Sequence, residues 1–248
     1  MGSRLGFNTT FYSYDNLNKD ASIIQCEIDQ NSIGRYFPVE VGIHADAKTV
    51  ADQLCNLLKK HKAKQEVEAW ADQFKSNKKN YLEQRDADAD MDSVPILPSG
   101  LFKGLRNALP DDSVVTLDAG TMCLQLTDAL HYHQPKSLFS PLDFGLVGFS
   151  FPAGLGIKLA APERPVVSFH GDGGMSMVLP ELSTAVENNI NTVCVVMNNG
   201  TWGAEAAYQK DFFEGRFIGA HITTPEFDKA AELYGCKGIK AVSYTHLT

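Results

Sequence analysis

The fold is decided by residues 165–203, which read PVVSFHGDGGMSMVLPELSTAVENNINTVCVVMNNGTWG. An apolar run typical of a buried strand opens this stretch, and a glycine-rich turn follows it directly. A helical pattern at 178–189 and a second apolar run at 192–197 come next, and two asparagines end that run. Two strands joined by one crossover helix predict a parallel pair.

The same alternation of helix and strand extends upstream of this stretch. Helical patterns occupy 101–109, 123–131 and 148–160, and a strand-like run occupies 113–117. Apolar strands that alternate with helices are typical of parallel sheets buried on both faces. The sequence therefore predicts an α/β fold with a doubly wound parallel sheet.

The first third of the chain has a different character. A strand-like run at 22–28 and an amphipathic helical pattern at 46–60 precede a polar segment that ends in an acidic cluster at 86–90. Such charge clusters are typical of linkers, so we expect a domain boundary there. The predicted parts are a first domain at 1–61, a linker at 62–94 with a solvated helix, and a second domain at 95–248.

Composition narrows the class of protein. The formal net charge of −8 disfavours binding to nucleic acids and to anionic membranes. Five widely spaced cysteines without a CxxC pair indicate reduced thiols rather than a zinc site or a disulfide framework. Neither a signal-peptide pattern nor an apolar run long enough to cross a membrane occurs, so we expect a cytoplasmic protein without nucleic-acid or membrane partners.

Polar residues follow both strands of the opening stretch. Asp172 stands in the glycine-rich turn, and Asn199 follows the second strand. Because ligands bind at the carboxyl ends of parallel strands, both side chains are expected at one edge of the sheet. Carboxylate and amide oxygens suit Mg²⁺, and the glycines let backbone N–H groups approach a diphosphate. A GDG turn alone is commonly structural, but this turn and the asparagines joined by one helix are far more specific.

This layout resembles the cofactor motif of thiamine-diphosphate-dependent enzymes, in which GDG is followed after one helix by NN. The run FGLVGFSFPA at 144–153 is similar to the small-residue loop and helix of that family, and DAGT at 118–121 stands where the family has its first diphosphate-binding loop. The segments at 2–5, 23–29, 33–35 and 38–48 resemble the Rossmann-like central domain of the same family. The chain is therefore identified as a member of the acetolactate synthase-like superfamily of these enzymes.

The resemblance implies a set of contacts with thiamine diphosphate and Mg²⁺. Asp172 and Asn199 would bind Mg²⁺ through their side chains, and Thr201 through its backbone carbonyl. Val147 and the glycines around it would face the aminopyrimidine ring, and Trp202 would contact cofactor or substrate. The implied cofactor-binding residues are Gly120, Thr121, Gly145, Val147, Gly171, Asp172, Gly173, Gly174, Met175, Asn199, Thr201, Trp202 and Gly203.

The residues after the motif indicate a group within the family. WGAE at 202–205 and DFFEGRF at 211–217 resemble sulfoacetaldehyde acetyltransferases. This resemblance implies the conversion of sulfoacetaldehyde and phosphate into acetyl phosphate and sulfite. Lys210 and Arg216 are either cations that meet an anionic substrate or solvated surface charges. The alternatives are an acetolactate-synthase-like carboligase or decarboxylase acting on a 2-oxo acid, and a non-catalytic cofactor-binding fragment.

The family's activating glutamate lies in an N-terminal pyrimidine-binding domain, for which the sequence shows no counterpart. We therefore expect a fragment that ends within its second domain, and we assign no catalytic residue. The chain alone is expected to bind the cofactor weakly and to be inactive. The resemblance implies a homodimer or homotetramer for the full-length protein. Among other polar residues, His170 either lines the site or packs at a strand end, and His131 and His133 are solvated rather than a metal pair.

Overall fold

The computed structural model describes residues 1–3, 6, 15, 17–60, 67–141 and 144–242. The chain forms two compact units, Met1–Asn80 and Tyr81–Thr248. The division falls inside the range expected as a linker, and the three predicted parts stay a prediction. Within the described ranges, none of the helices combines the length and the apolar character needed to cross a bilayer.

The smaller unit contains a short parallel pair, β1 (Ile24–Glu27) and β2 (Val41–His44), with one turn of 3₁₀-helix at Gln30–Ser32 between them. Helix α1 (Ala47–Leu58) follows, and the Asp46 carboxylate caps its first turn by accepting a hydrogen bond from the Thr49 backbone N–H. Helix α2 (Val67–Ala87) crosses the division between the units.

The larger unit is a four-stranded parallel sheet with helices between the strands. Its strand order is β4–β3–β5–β6, with every neighbouring pair parallel. This architecture confirms the predicted α/β fold. Its elements are α3 (Pro98–Ala108), β3 (Val114–Leu117), α4 (Thr121–Ala129), β4 (Leu138–Phe139), α5 (Ser150–Ala160), β5 (Val166–Gly171), α6 (Asp172–Val178), α7 (Glu181–Glu187), β6 (Val193–Met197), α8 (Gly203–Phe212) and α9 (Phe227–Leu233).

The two faces of this sheet differ in chemistry. Side chains alternate across a strand, so Val115 and Leu117 of β3 point to the opposite face from Thr116. The first face packs against α3 and α4 in an apolar cluster that includes Val167 and Phe169. The second face is polar near β3 and β5 and lies under α5, which continues into a second apolar cluster with α6 and α7. Helices therefore cover both faces, as a doubly wound sheet requires.

Two local features differ from the sequence-based expectation. The glycine-rich segment expected as a turn is helical from Asp172 onward, and forms the first turn of α6. The single crossover helix expected at 178–189 is two helices, α6 and α7. Pro180 stands between them and cannot donate the hydrogen bond that would continue α6.

Candidate functional site

The carboxyl ends of β5 and β6 lie side by side, with Gly171 paired to Met197 in the parallel register. Asp172 begins α6 directly after β5, and its side chain is 1% exposed. Its Oδ2 accepts a 2.6 Å hydrogen bond from the backbone N–H of Gly200, and its Oδ1 accepts one of 3.0 Å from Gly173. One buried carboxylate therefore links the loops that follow the two strands.

Hydrogen bonds donated by its backbone N–H groups fix the loop after β6. Gly200 adopts φ +68°, a conformation that favours glycine. Oδ1 of the exposed Asn199 accepts a hydrogen bond from the Thr201 backbone N–H at 3.1 Å. The Trp202 backbone N–H donates to the Ala220 carbonyl at 2.8 Å, which holds the loop against the segment after α8. The turn thus presents the Asn199 amide at the same sheet edge as Asp172.

Two glycines of α6 are required by close neighbours. A Cβ at Gly173 would lie 2.6 Å from the Trp202 ring, so this indole covers the first turn of the helix. A Cβ at Gly174 would lie 2.0 Å from Oδ2 of Asp118. Any larger residue would displace one of these groups.

Gly120 and Gly171 face open space instead. Among the described residues, no heavy atom beyond their chain neighbours lies within 4 Å of the position that a Cβ would take at either glycine. Gly120 precedes α4 with φ +124°, and Thr121 begins that helix. Gly203 lies close to Thr121, because a Cβ there would be 3.0 Å from the threonine Oγ1. The beginnings of α4 and α8 are therefore neighbours.

The remaining predicted residues lie either in the turn before α5 or in the second apolar cluster. Gly145 is exposed with φ +70°, and Val147 is half-buried in the turn before α5. Gly148 touches α6, because a Cβ there would be 2.9 Å from a methyl group of Val178. The side chain of Met175 is 2% exposed and belongs to the second apolar cluster, so only its backbone is available to a ligand.

A buried pair that sequence reasoning left unassigned lies beneath these segments. Asp118 and His170 are both 0% exposed, and His170 Nδ1 lies 3.2 Å from Asp118 Oδ2, although its N–H direction does not meet hydrogen-bond geometry. Asp118 also accepts backbone hydrogen bonds from Gly148 at 3.1 Å and Phe149 at 2.7 Å. Burial raises the pKa of Asp118, but the His170 contact and these backbone donors outweigh it and lower the pKa overall.

The donors at the sheet edge fit a hard cation bound together with a phosphate ligand. Within the described part of the chain, no group of three or more His, Cys, Asp or Glu residues is placed to hold a metal ion. A cation here would therefore need the Asp172 carboxylate, amide and carbonyl oxygens, and oxygens of the ligand itself, which is the oxygen-only set that Mg²⁺ prefers. The open space beside Gly120 and Gly171 leaves room for such a ligand.

A family model described as "Thiamine pyrophosphate enzyme, C-terminal TPP binding domain" matches residues 118–248, more than half of the chain. The chain belongs to the thiamine pyrophosphate enzyme family. The matched range contains both strand-end loops and the Asp118–His170 pair. The name of the family model supports thiamine diphosphate, which is the same molecule as thiamine pyrophosphate, as the ligand of this domain.

Several members of the family are similar over nearly the whole chain. Sulfoacetaldehyde acetyltransferase of Alcaligenes xylosoxydans xylosoxydans is 30% identical over 96% of this chain and 43% of its own length. The acetolactate synthase large subunit of Haemophilus influenzae is 33% identical over 97% of this chain and 42% of its own length. The chain thus spans less than half the length of these relatives.

A solved structure shows the same fold. The thiamine diphosphate-dependent 4-hydroxybenzoylformate decarboxylase of Rhodococcus jostii RHA1 superposes with a TM-score of 0.75 at 22% identity. The superposition covers 95% of this chain and 42% of that chain. At this identity the similarity concerns the fold alone.

Proposed function

We propose that the larger unit binds thiamine diphosphate together with Mg²⁺ at the edge formed by β5 and β6. The hydrogen bond of 2.6 Å between Asp172 and Gly200 carries this proposal, because it joins the two loops that supply the oxygen ligands. The Asp172 carboxylate, the Asn199 amide oxygen and the Thr201 backbone carbonyl would hold the ion.

The protein's part in the reaction is to hold and orient the cofactor. When bound, thiamine diphosphate supplies the carbanion chemistry that makes and breaks bonds beside a carbonyl group. Gly120, Thr121 and the glycines at 171–174 would surround the diphosphate, since the structure leaves open space beside Gly120 and Gly171. Trp202 and Gly203 would close one side of this site, and Gly145 and Val147 would face the aminopyrimidine ring.

For the full-length protein we propose acetyl transfer from sulfoacetaldehyde to phosphate, with release of sulfite. The similarity to sulfoacetaldehyde acetyltransferases over 96% of the chain supports this reaction, as do the runs at 202–205 and 211–217. Lys210, at the end of α8, and Arg216 are exposed cations available to an anionic substrate. The identity of 33% to an acetolactate synthase supports the second candidate, a carboligase that acts on a 2-oxo acid.

The metal assignment is tested by single substitutions. Asp172→Ala and Asn199→Ala should each abolish Mg²⁺-dependent binding of thiamine diphosphate, measured by isothermal titration calorimetry, because each removes an oxygen ligand of the ion. Asn198→Ala is the matched control, since this neighbouring amide instead accepts a hydrogen bond from Thr224 at 3.3 Å. Unchanged affinity in either ligand variant would show that the metal lies elsewhere.

The reaction is tested on the full-length protein with each substrate in turn. Sulfite release from sulfoacetaldehyde supports the acetyltransferase, and carboligation of pyruvate supports the second candidate. Cofactor binding without turnover of either substrate would favour a non-catalytic role. A homodimer or homotetramer and a cytoplasmic location stay predictions.

A further inference from the structure

Five buried polar residues form a continuous layer between the sheet and α5. We call Thr116, Asp118, Ser150, Ser168 and His170 the polar layer, and each of them is 0% exposed. The Thr116 hydroxyl donates to Ser168 Oγ at 2.8 Å, and the Ser150 hydroxyl lies 2.9 Å from Thr116 Oγ1. Burying so many polar groups costs free energy unless they are paired, so this layer has a defined geometry.

The charged end of the polar layer touches three segments of the proposed site. Asp118 itself opens the loop that leads to Gly120. Its carboxylate accepts backbone hydrogen bonds from Gly148, Phe149 and Ser150, at 3.1, 2.7 and 3.3 Å, which satisfies the free N–H groups where α5 begins. The same carboxylate lies against Gly174 of α6. One side chain thus sets the spacing of all three segments.

His170 completes this arrangement from the neighbouring strand. Its Nε2 lies 2.7 Å from the backbone nitrogen of Phe151, which can only donate. Nε2 must therefore carry the lone pair, and the ring proton sits on Nδ1, on the side of Asp118. The ring thus accepts the next backbone donor of α5 while its other nitrogen faces the carboxylate.

We propose that Asp118 and His170 are positioning residues that fix the turn at 145–148 relative to the diphosphate site. This inference rests on the proposed function, in which that turn faces the aminopyrimidine ring. The hydrogen bond from the Phe151 N–H to His170 lies at the start of α5 and involves none of the three proposed metal ligands, Asp172, Asn199 and Thr201. Loss of this acceptor alone, with Asp118 kept in place, should therefore weaken contacts with the thiamine part of the cofactor and spare the contacts with the metal and the diphosphate.

The test compares two ligands on His170→Asn, which keeps an N–H donor near the position of Nδ1 but leaves the Phe151 N–H without an acceptor. By calorimetry, the dissociation constant for thiamine diphosphate with Mg²⁺ should rise by roughly 5- to 100-fold, because binding must return the start of α5 to a geometry in which the buried Phe151 N–H has no acceptor. The dissociation constant for Mg-pyrophosphate, which lacks the thiamine part, should stay unchanged.

Two further variants separate positioning from general stability. His170→Gln places an amide oxygen near the position of Nε2, so it should restore most of the affinity for thiamine diphosphate. Ser168→Ala removes a hydroxyl from the same polar layer without touching the turn or Asp118. This control should lower the melting temperature and leave the ratio of the two affinities as in the wild type.

Every other outcome contradicts either the positioning role of the pair or the proposed function. Equal losses for both ligands in His170→Asn, or no loss for either, would remove the positioning role while the proposed function stands. A wild-type chain that binds thiamine diphosphate no tighter than Mg-pyrophosphate would also remove that role, because the turn would then contribute nothing. A wild-type chain that binds neither ligand would overturn the proposed function itself.

Discussion

At the residue scale, the Cys194 thiol shows how packing controls reactivity. It lies 3.8 Å from the Met175 sulfur within the second apolar cluster, and burial raises its pKa to about 12. Because the thiolate is the nucleophile, Cys194 should resist alkylation by iodoacetamide at pH 8 in the folded chain. Cys55 of α1 is exposed and serves as the internal control. Labelling is read by mass spectrometry, and equal labelling rates at the two cysteines would contradict the packing.

The residues of the site differ in how far sequence alone predicts them. The sequence alone singles out Asp172 and Asn199, because each follows an apolar run that predicts a strand. The carboxyl ends of neighbouring parallel strands lie at the same edge of a sheet. The contact between Asp118 and His170 is not predicted from the sequence, although polar residues stand at alternate positions near the ends of both strands. Thr116 and Asp118 alternate with apolar residues, as do Ser168 and His170. That alternation marks a polar face, but it does not show which helix covers the face or which backbone donors meet it.

At the element scale, the packing of α5 on β5 depends on a glycine. A Cβ at Gly154 would lie 2.2 Å from Ser168 Oγ, in the middle of the polar layer. Gly154→Ala should therefore destabilise the fold by about 1–3 kcal/mol, the usual cost of overpacking a core. The measurement is urea denaturation followed by circular dichroism.

Gly156 of the same helix is the matched control. It is exposed, and among the described residues no heavy atom lies within 4 Å of its Cβ position outside its own chain neighbours and helix backbone. Gly156→Ala should stabilise the fold by about 0.5–1 kcal/mol, because alanine loses less backbone entropy in a helix. If both substitutions shifted stability in the same direction, close packing would not be the cause of the Gly154 effect.

Elements were predicted best where apolar periodicity is long. Strands β3, β5 and β6 and helices α3, α4 and α5 begin and end within three residues of their expected ranges. Strand β4 has two residues and is too short for periodicity to reveal. The sequence predicts a turn at the start of α6, because GDG directly after a strand is a common turn tripeptide. Tertiary contacts with Trp202 and Asp118 explain why glycines stand there.

At the scale of the whole molecule, two carboxyl groups that are at least partly shielded from solvent make stability depend on pH. Hydrogen bonds also lower the pKa of Asp29 and Glu226, but these side chains are exposed and their effect is weaker. The hydrogen bond from Arg106 lowers the pKa of Asp86, and the pKa of Asp118 is lowered by His170 and its backbone donors against the effect of burial. A carboxyl group with a lowered pKa stabilises the fold above its unfolded value of 3.8, and this stabilisation disappears as the pH falls through the folded value.

The free energy of unfolding should therefore fall as the pH is lowered below about 4. Urea denaturation of the chain without cofactor, repeated between pH 7 and pH 3, measures this dependence. Asp118→Asn removes one of the two groups and should make the fall shallower. Stability that stays level or rises in this range would show that neither carboxylate is held as described.

The hydrogen bonds that join the segments of the proposed site also affect how the chain folds. Each closes a modest loop: Asp172 reaches Gly200 over 28 residues, His170 reaches Phe151 over 19, and Asp118 reaches Gly148 over 30. The entropy lost on closing a loop grows only slowly with length, so these closures have similar costs. The site can form one crossover at a time as the sheet grows. A backbone cut between β5 and β6 would turn the Asp172–Gly200 closure into an encounter between two molecules.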